Sequence, residues 1–273
     1  MKKLVKIGIV GKANSGKSSL LNCIVQNKIS ITSPRAHTTR TNIIGNMHYN
    51  DTKLVLFDTP GYIQKGNIWT KQFTRTTNQT LANVDVALLL IDACKAFEKS
   101  YLYDIVQQRS IPFIIVINKI DLIKRGELYK IIQHFQNMKY KGIVFTISVK
   151  NKEGINDVLE HVIMYAKDNL DEYTLYDSEI DRGVYACEVV REKAFYLTRQ
   201  EVPFSLTTQL VHFSEVDKSW KAHVDICVPH LAHKKIIIGK CGNMIKRIGS
   251  WAREELIRHW TVNGQLFLNV RIR

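Results

Sequence analysis

A strand-like apolar run, VKIGIVG (5–11), stops at a loop reading Gly11-Lys12-Ala13-Asn14-Ser15-Gly16-Lys17-Ser18, and a helical pattern over 17–26 starts where that loop ends. This is GxxxxGKS in the strand–loop–helix setting that the pattern needs to mean anything. Glycines let the loop wrap a phosphate chain without Cβ clashes, while its N–H groups and the helix N-terminus face negative charge. In such a loop Gly11, Asn14, Ser15, Gly16 and Ser19 border the phosphates. Lys17 reaches the β- and γ-phosphates and Ser18 offers a hydroxyl to Mg²⁺. The open alternative is an ordinary glycine-rich turn.

The rest of residues 1–170 agrees with the phosphate-loop reading. KLVLFDTPG (53–61), VDVALLLIDA (84–93), IPFIIVINK (111–119) and GIVFTIS (142–148) read as buried strands, with helical patterns near 70–83, 98–109 and 126–138. Such alternation predicts βαβ units and a mostly parallel sheet covered on both faces. A helix over 155–168 is expected to close this domain. Two further turns stand at expected strand ends, where open parallel sheets bind ligands. In Asp58-Thr59-Pro60-Gly61 the carboxylate can hold Mg²⁺ through a water, and the Gly61 N–H can approach a γ-phosphate. In Asn118-Lys119-Ile120-Asp121 the carboxylate of Asp121 can accept from N1–H and the exocyclic amine of guanine, a donor pair adenine lacks, while the Lys119 stem covers the ring. Ser148-Val149-Lys150 can close the other side of the base.

Residues 171–183 (DEYTLYDSEIDRG) are acidic and aperiodic and read as a linker. Beyond it the order is α-β-β-α-α-β: helix 184–200, strands 204–213 and 219–228, helices 231–238 and 243–260, and strand 265–273. HKKIIIG, inside the shorter helix, is also compatible with a strand. Net charge, +14 overall, follows the same division. Residues 1–170 hold 24 Lys+Arg and 12 Asp+Glu (24 − 12 = +12), residues 171–217 hold 4 and 10 (4 − 10 = −6), and residues 218–273 hold 11 and 3 (11 − 3 = +8). A basic C-terminal end favours a polyanionic partner. Within it, Gly239-Lys240-Cys241-Gly242 is a GxxG between two helical patterns. Two glycines permit close approach of a nucleic-acid backbone, and KH domains clamp about four unpaired nucleotides in this way. Lys246 and Arg247 follow on the next helix as candidate phosphate contacts, with Arg253 and Arg258 farther along. Ile237, Ile238, Ile245 and Ile248 are expected to divide between core and groove wall, and Trp251 and Trp260 to pack in the core. His230 and His233 read as surface or capping residues.

No stretch reaches the roughly eighteen apolar residues of a membrane span. The first residues, MKKLVKIGIVGK, suit a buried strand better than a signal peptide. Five cysteines (Cys23, Cys94, Cys187, Cys227, Cys241), odd in number and without CxxC, predict free thiols in a reducing cytoplasm.

Together, GxxxxGKS, DTPG, NKID and SVK over residues 1–170 resemble the GTPases of the translation-factor class. KISITSPRAHTTR (28–40) is similar to the Era family of bacterial ribosome-assembly GTPases, and the GxxG segment with VVREKAF (189–195) extends that resemblance over most of 184–270. The resemblance implies an α/β P-loop GTPase domain (1–170) followed by a smaller α+β type II KH domain (184–273). It implies GTP and GDP as ligands with Mg²⁺ held by Ser18, Thr39 and, through water, Asp58. Thr38 and Thr39 match the switch threonines, the second being the expected ligand. Lys17, Thr39 and Asn14 are the expected catalytic set. Asn14 matches an asparagine that in related GTPases helps hold a potassium ion. Tyr62 and Ile63 stand where Ras-like enzymes place a water-orienting glutamine, which implies slow intrinsic turnover; Gln64 is close but misplaced. Ser15 replaces the family's apolar loop residue, and Lys12-Ala13 its Arg-Pro. Many Era proteins run on past the residue matching Arg273 in a short tail. The implied partners are small-subunit ribosomal RNA, bound at its 3′ end, and the small ribosomal subunit during its assembly. Peripheral membrane contact is a further option, and a monomer is expected. The open alternatives are an RNA-binding adaptor with a structural nucleotide site and a GTPase of tRNA modification or membrane transport.

Overall fold

The computed structural model describes residues 3–26, 43–59, 77–95, 111–137, 143–168, 182–199, 202–216 and 219–273. The chain divides into two compact units, one running to Asp177 and one from Ser178 to Arg273.

In the first unit β1 (Lys3–Gly11) leads into α1 (Lys17–Val25). Then follow β2 (Ile43–Tyr49), β3 (Thr52–Asp58), β4 (Val86–Asp92), β5 (Phe113–Asn118), α2 (Arg125–Asn137), β6 (Ile143–Ile147), α3 (Ile155–Val162) and the short β7 (Lys167–Asp168). The sheet order is β2-β3-β1-β4-β5-β6, and β7 pairs with β1. All pairings are parallel except β2 with β3 and β7 with β1. The strands are continuous apolar runs because both faces are covered. Leu88, Leu90 and Val116 join Ile7, Ile9, Leu20 and Leu159 on one side, while Leu89, Ile115, Ile117 and Phe135 pack on the other. Each such buried side chain contributes about 1.5–3 kcal/mol of transfer free energy.

The five expected strands are present, with ends shifted by no more than three residues. One expectation fails at the end of the unit. The helix predicted over 155–168 stops at Val162, passes through a 3-10 turn at Ile163–Tyr165, and gives way to β7. Lys3 and Leu4 begin β1 before its β4 pairing starts at Ile7, so a short strand takes up their open hydrogen bonds. Asp85 braces this return, accepting from the Lys6 N–H at 2.8 Å and from Lys167 Nζ at 2.8 Å. The β2 edge strand went unpredicted, and the helical pattern at 98–109 lies outside the described residues.

The second unit contains α4 (Arg182–Leu197), α5 (Val202–Ser205), β8 (Thr207–Val216), β9 (Ser219–Val228), α6 (Leu231–Ile238), α7 (Asn243–Trp260) and β10 (Gly264–Ile272). The α4 helix begins at Arg182, inside the stretch read as linker, and β8 starts three residues later than expected because Val202–Ser205 forms a helical turn first. The sheet order is β10-β9-β8, with β10 parallel and β8 antiparallel to β9. One face carries the core: Val189, Val190, Trp220, Val224, Ile226, Ile237, Ile248, Ala252 and Leu256. Trp220 is buried with its indole N–H satisfied by the Val262 carbonyl at 2.9 Å. Apart from the short α5, the order is the α-β-β-α-α-β of a type II KH domain.

Candidate nucleotide site and nucleic-acid interface

Register brings the nucleotide motifs together. Asp58 pairs with Ile9 two residues before the phosphate loop, and Asp92, Asn118 and Ile147 occupy one row across β4, β5 and β6. Side chains at these strand ends face a common edge, where the sheet stops and helices begin.

The phosphate loop is held from below by the base motif. The Asn118 side-chain N–H donates to the Ser15 carbonyl at 2.9 Å, and its Oδ1 accepts from the N–H groups of Lys119 (2.8 Å) and Val149 (3.2 Å). One buried amide thus ties three loops together. This is why position 16 must be glycine. Its φ is +100°, and a Cβ there would lie 2.3 Å from Asn118 Nδ2. We expect Gly16→Ala to displace Asn118, costing about 2–4 kcal/mol from backbone strain and a broken buried hydrogen bond. Urea unfolding should show that loss, and titration with fluorescent GDP should show nucleotide binding abolished. Unchanged binding would contradict the lock.

Lys17 is buried, and its Nζ donates to the Lys12 carbonyl at 3.0 Å. Burial lowers its pKa to about 8, with nearby Asp58 opposing the shift and Lys95 adding to it. Phosphate oxygens beside the ammonium would raise that pKa again. Binding must then take up a proton above pH 8. Nucleotide affinity should be flat below pH 8 and fall about tenfold per pH unit above it. Isothermal titration in buffers of different ionisation heat at pH 7 and pH 8.7 checks this: proton uptake should appear only at the higher pH.

Ser18 and Asp58, forty residues apart, meet with the Ser18 hydroxyl donating to Asp58 Oδ2 at 2.6 Å. Two hard oxygen donors converging beside a buried lysine suit a magnesium ion bound with phosphate. Thr59 fastens the loop after β3 by donating its hydroxyl to the Ile9 carbonyl at 2.7 Å. Thr38, Thr39, Gly61, Tyr62 and Ile63 lie outside the described residues. Ser19 is half-buried in the first turn of α1. Ser15 is almost fully buried, and its hydroxyl finds no hydrogen-bond partner among the described residues. Such a group costs roughly 1–3 kcal/mol, which explains why an apolar residue suits this position.

At the base end, Ser148 donates to Asp121 Oδ1 at 2.7 Å and in turn accepts from the Asn151 N–H at 3.2 Å. Val149 is half-buried and Lys150 exposed beside them. Lys119 adopts a left-handed φ of 69° and stretches its ammonium to the Asn14 carbonyl and to Asp92 Oδ2, both at 2.7 Å. Asp92 is a residue that sequence reasoning passed over. Buried at the end of β4, it also accepts from the Cys94 N–H at 3.0 Å, and it fixes the lysine stem as a flat wall. Its signal was its place at the carboxyl end of a central strand. Asn14, also left-handed (φ 64°), is exposed at the tip of the loop.

In the second unit the GxxG turn joins α6 to α7. Gly239 and Gly242 have φ of +73° and +74°, and a Cβ on Gly239 would lie 2.7 Å from Met244 Cβ. Between them Lys240 and Cys241 are exposed, Cys241 itself at a left-handed φ of 52°. Lys246 and Arg247 are exposed one turn into α7. A groove of about 410 Å³ lies between α7 and β10, lined by Ile245, Lys246, Gly249, Ser250, Arg253, Leu266 and Leu268. It is apolar at its floor and basic at its rim. Ile237 and Ile248 belong to the core, whereas Ile238 and Ile245 are only partly buried. Trp260 packs edge-on against Trp220 as expected, but Trp251 is 40% exposed, because its position on α7 points away from the sheet. His233 Nδ1 lies 2.8 Å from Ser205 Oγ, with the His230 ring 5.4 Å away.

A phosphate loop, a carboxylate hydrogen-bonded to its serine and an NKxD turn at the same sheet edge define a P-loop GTPase, here carrying a KH domain at its C-terminal end. The family described as 50S ribosome-binding GTPase matches residues 6–119. GTPase Era of Rickettsia conorii is 33% identical over 99% of this chain and 81% of its own length, and that of Rickettsia bellii 33% over 100% and 94%. Two solved structures superpose on nearly the whole chain. An Aquifex aeolicus Era variant bound to GDP and AlF4⁻ has a TM-score of 0.90 at 29% identity, covering 99% of this chain and 94% of that one. Era in complex with MgGDPNP and nucleotides 1506–1542 of 16S ribosomal RNA has a TM-score of 0.89 at 30% identity, covering 100% and 94%. The chain belongs to the GTPase Era family.

Proposed function

We propose that this chain is a cytoplasmic, GTP-hydrolysing switch that binds the 3′ end of small-subunit ribosomal RNA during assembly of the small ribosomal subunit. The observation that carries it is one chain holding both a phosphate loop tied to an NKxD turn and a GxxG turn on a basic unit. A relative of the same architecture has been solved with MgGDPNP and that stretch of RNA. Among the described residues no helix is long and apolar enough to cross a membrane.

In this reading Lys17 and the loop N–H groups hold the β- and γ-phosphates, and Asp121, Lys119, Val149 and Lys150 enclose the guanine. Ser18, Thr39 and, through water, Asp58 would hold Mg²⁺, which when bound supplies positive charge to the phosphate oxygens. Catalysis is electrostatic: Lys17 and the N–H groups stabilise charge on a departing phosphoryl group, and no described side chain is placed as a general base. Asn14 would help a potassium ion take the part that an arginine plays elsewhere. Residues 182–273 clamp unpaired RNA.

The test is co-sedimentation of the purified protein with free small ribosomal subunits. Binding is expected with a non-hydrolysable GTP analogue, weaker with GDP, and lost in Lys17→Ala. Equal binding with every nucleotide would leave an RNA-binding adaptor in place of a switch.

A further inference from the structure

The clamp helix α7 carries a second groove. Of about 490 Å³, it is lined by Asn243, Lys246, Arg247, Ser250, Trp251 and Glu254, along one helical stripe. Lys246 and Ser250 also line the groove against β10, so they form the ridge between the two. The α7 groove opens one turn from the GxxG tip. Trp251 is 40% exposed on this charged helix face, with the Arg247 guanidinium 5.7 Å from its ring centre. Tyr196, from α4, is 57% exposed and meets Trp251 at 6.3 Å between ring centres.

We propose that this second groove is a base-stacking subsite for an unpaired nucleotide lying next to those held by the clamp. The inference rests on the RNA reading above. Indole and phenol rings offer flat apolar faces, and stacking on such rings is how single-stranded nucleic acid is held irrespective of sequence. The flanking Lys246 and Arg247 supply charge for the connecting phosphate. Glu254, the groove's carboxylate, repels phosphate and accepts from an exocyclic amine, so it directs the base rather than the backbone inward. The shared ridge gives a strand leaving one groove a short path into the other.

Two fluorescein-labelled RNAs from the 3′ end of the small-subunit ribosomal RNA, of four and eight nucleotides, would be titrated against the full chain and its Trp251→Ala and Trp251→Phe variants. The tetranucleotide fills the clamp alone. Trp251→Ala is expected to weaken the octanucleotide about tenfold and leave the tetranucleotide unchanged, with Trp251→Phe recovering most of the loss. The octanucleotide should also quench tryptophan emission in the wild type, and Trp251→Phe should remove that quench. Octanucleotide affinity within twofold of wild type in Trp251→Ala overturns the subsite, as does an equal loss on both RNAs. Unchanged RNA binding with weaker sedimentation on small subunits would assign the patch to a ribosomal protein instead. If the wild type binds neither RNA, the clamp reading fails and the subsite with it.

Discussion

Asp121→Asn should lower GTP affinity by about 10²–10⁴-fold and turn the protein's preference to xanthosine triphosphate. Two hydrogen bonds from guanine to a carboxylate contribute roughly 1.5–3 kcal/mol each, and an amide in its place meets the exocyclic amine with a donor. The structure adds a reason for the change to be clean. Ser148 donates to Asp121 Oδ1, so an asparagine keeps its oxygen on that side and its NH₂ falls where Oδ2 was. Xanthine, with a carbonyl at the 2-position, accepts from that NH₂. Competition of both triphosphates against a fluorescent guanine nucleotide would measure the switch. A variant that still prefers GTP would remove Asp121 from the base site.

The second large effect concerns RNA. Lys240→Asp with Cys241→Asp should weaken binding to the free 3′ end of small-subunit ribosomal RNA by at least about a hundredfold, since two carboxylates replace one cation where phosphate must approach closely. The fold should survive. Both side chains are exposed, and aspartate tolerates the left-handed backbone at position 241 better than most residues. Wild-type affinity should fall with salt at a slope of roughly −0.7 per phosphate contact, and a duplex of equal length should bind less well. Fluorescence anisotropy on both RNAs, with circular dichroism on the variant, reads all three. A folded double variant binding as tightly as wild type would falsify the clamp.

Much of this was legible because the motifs lie at the ends of apolar runs, and both signals come from the same parallel sheet. The bounds of 243–260 matched to the residue, with Gly242 marking its start, and 231–238, which its sequence also allowed as a strand, is a helix ending at Gly239. The misses have physical causes. IIGNMHY of β2 is an edge strand, paired on one side only, and so lacks a continuous apolar run. Ile163 and Ala166 continued the helical period past Val162, and nothing local announced that β1 had two residues open for pairing. Asp92 looked like any strand-end carboxylate until Lys119 was seen against it. Trp251 was assigned to the core on hydrophobicity, although a helix face is decided by what packs across from it. The switch threonines and Gly61 lie outside the described residues, so their part rests on the family.

The antiparallel pairing of β7 with Lys3 and Leu4 fixes one end of the central strand β1. It anchors the chain on its way to the second unit at the amino end of β1, whereas the phosphate loop springs from the carboxyl end. About seven residues of largely buried strand separate Leu4 from Gly11, roughly 23 Å at the usual rise. A central strand neither stretches nor slips when one end meets a ligand. The β7 anchor is therefore held a whole central strand away from the nucleotide loop.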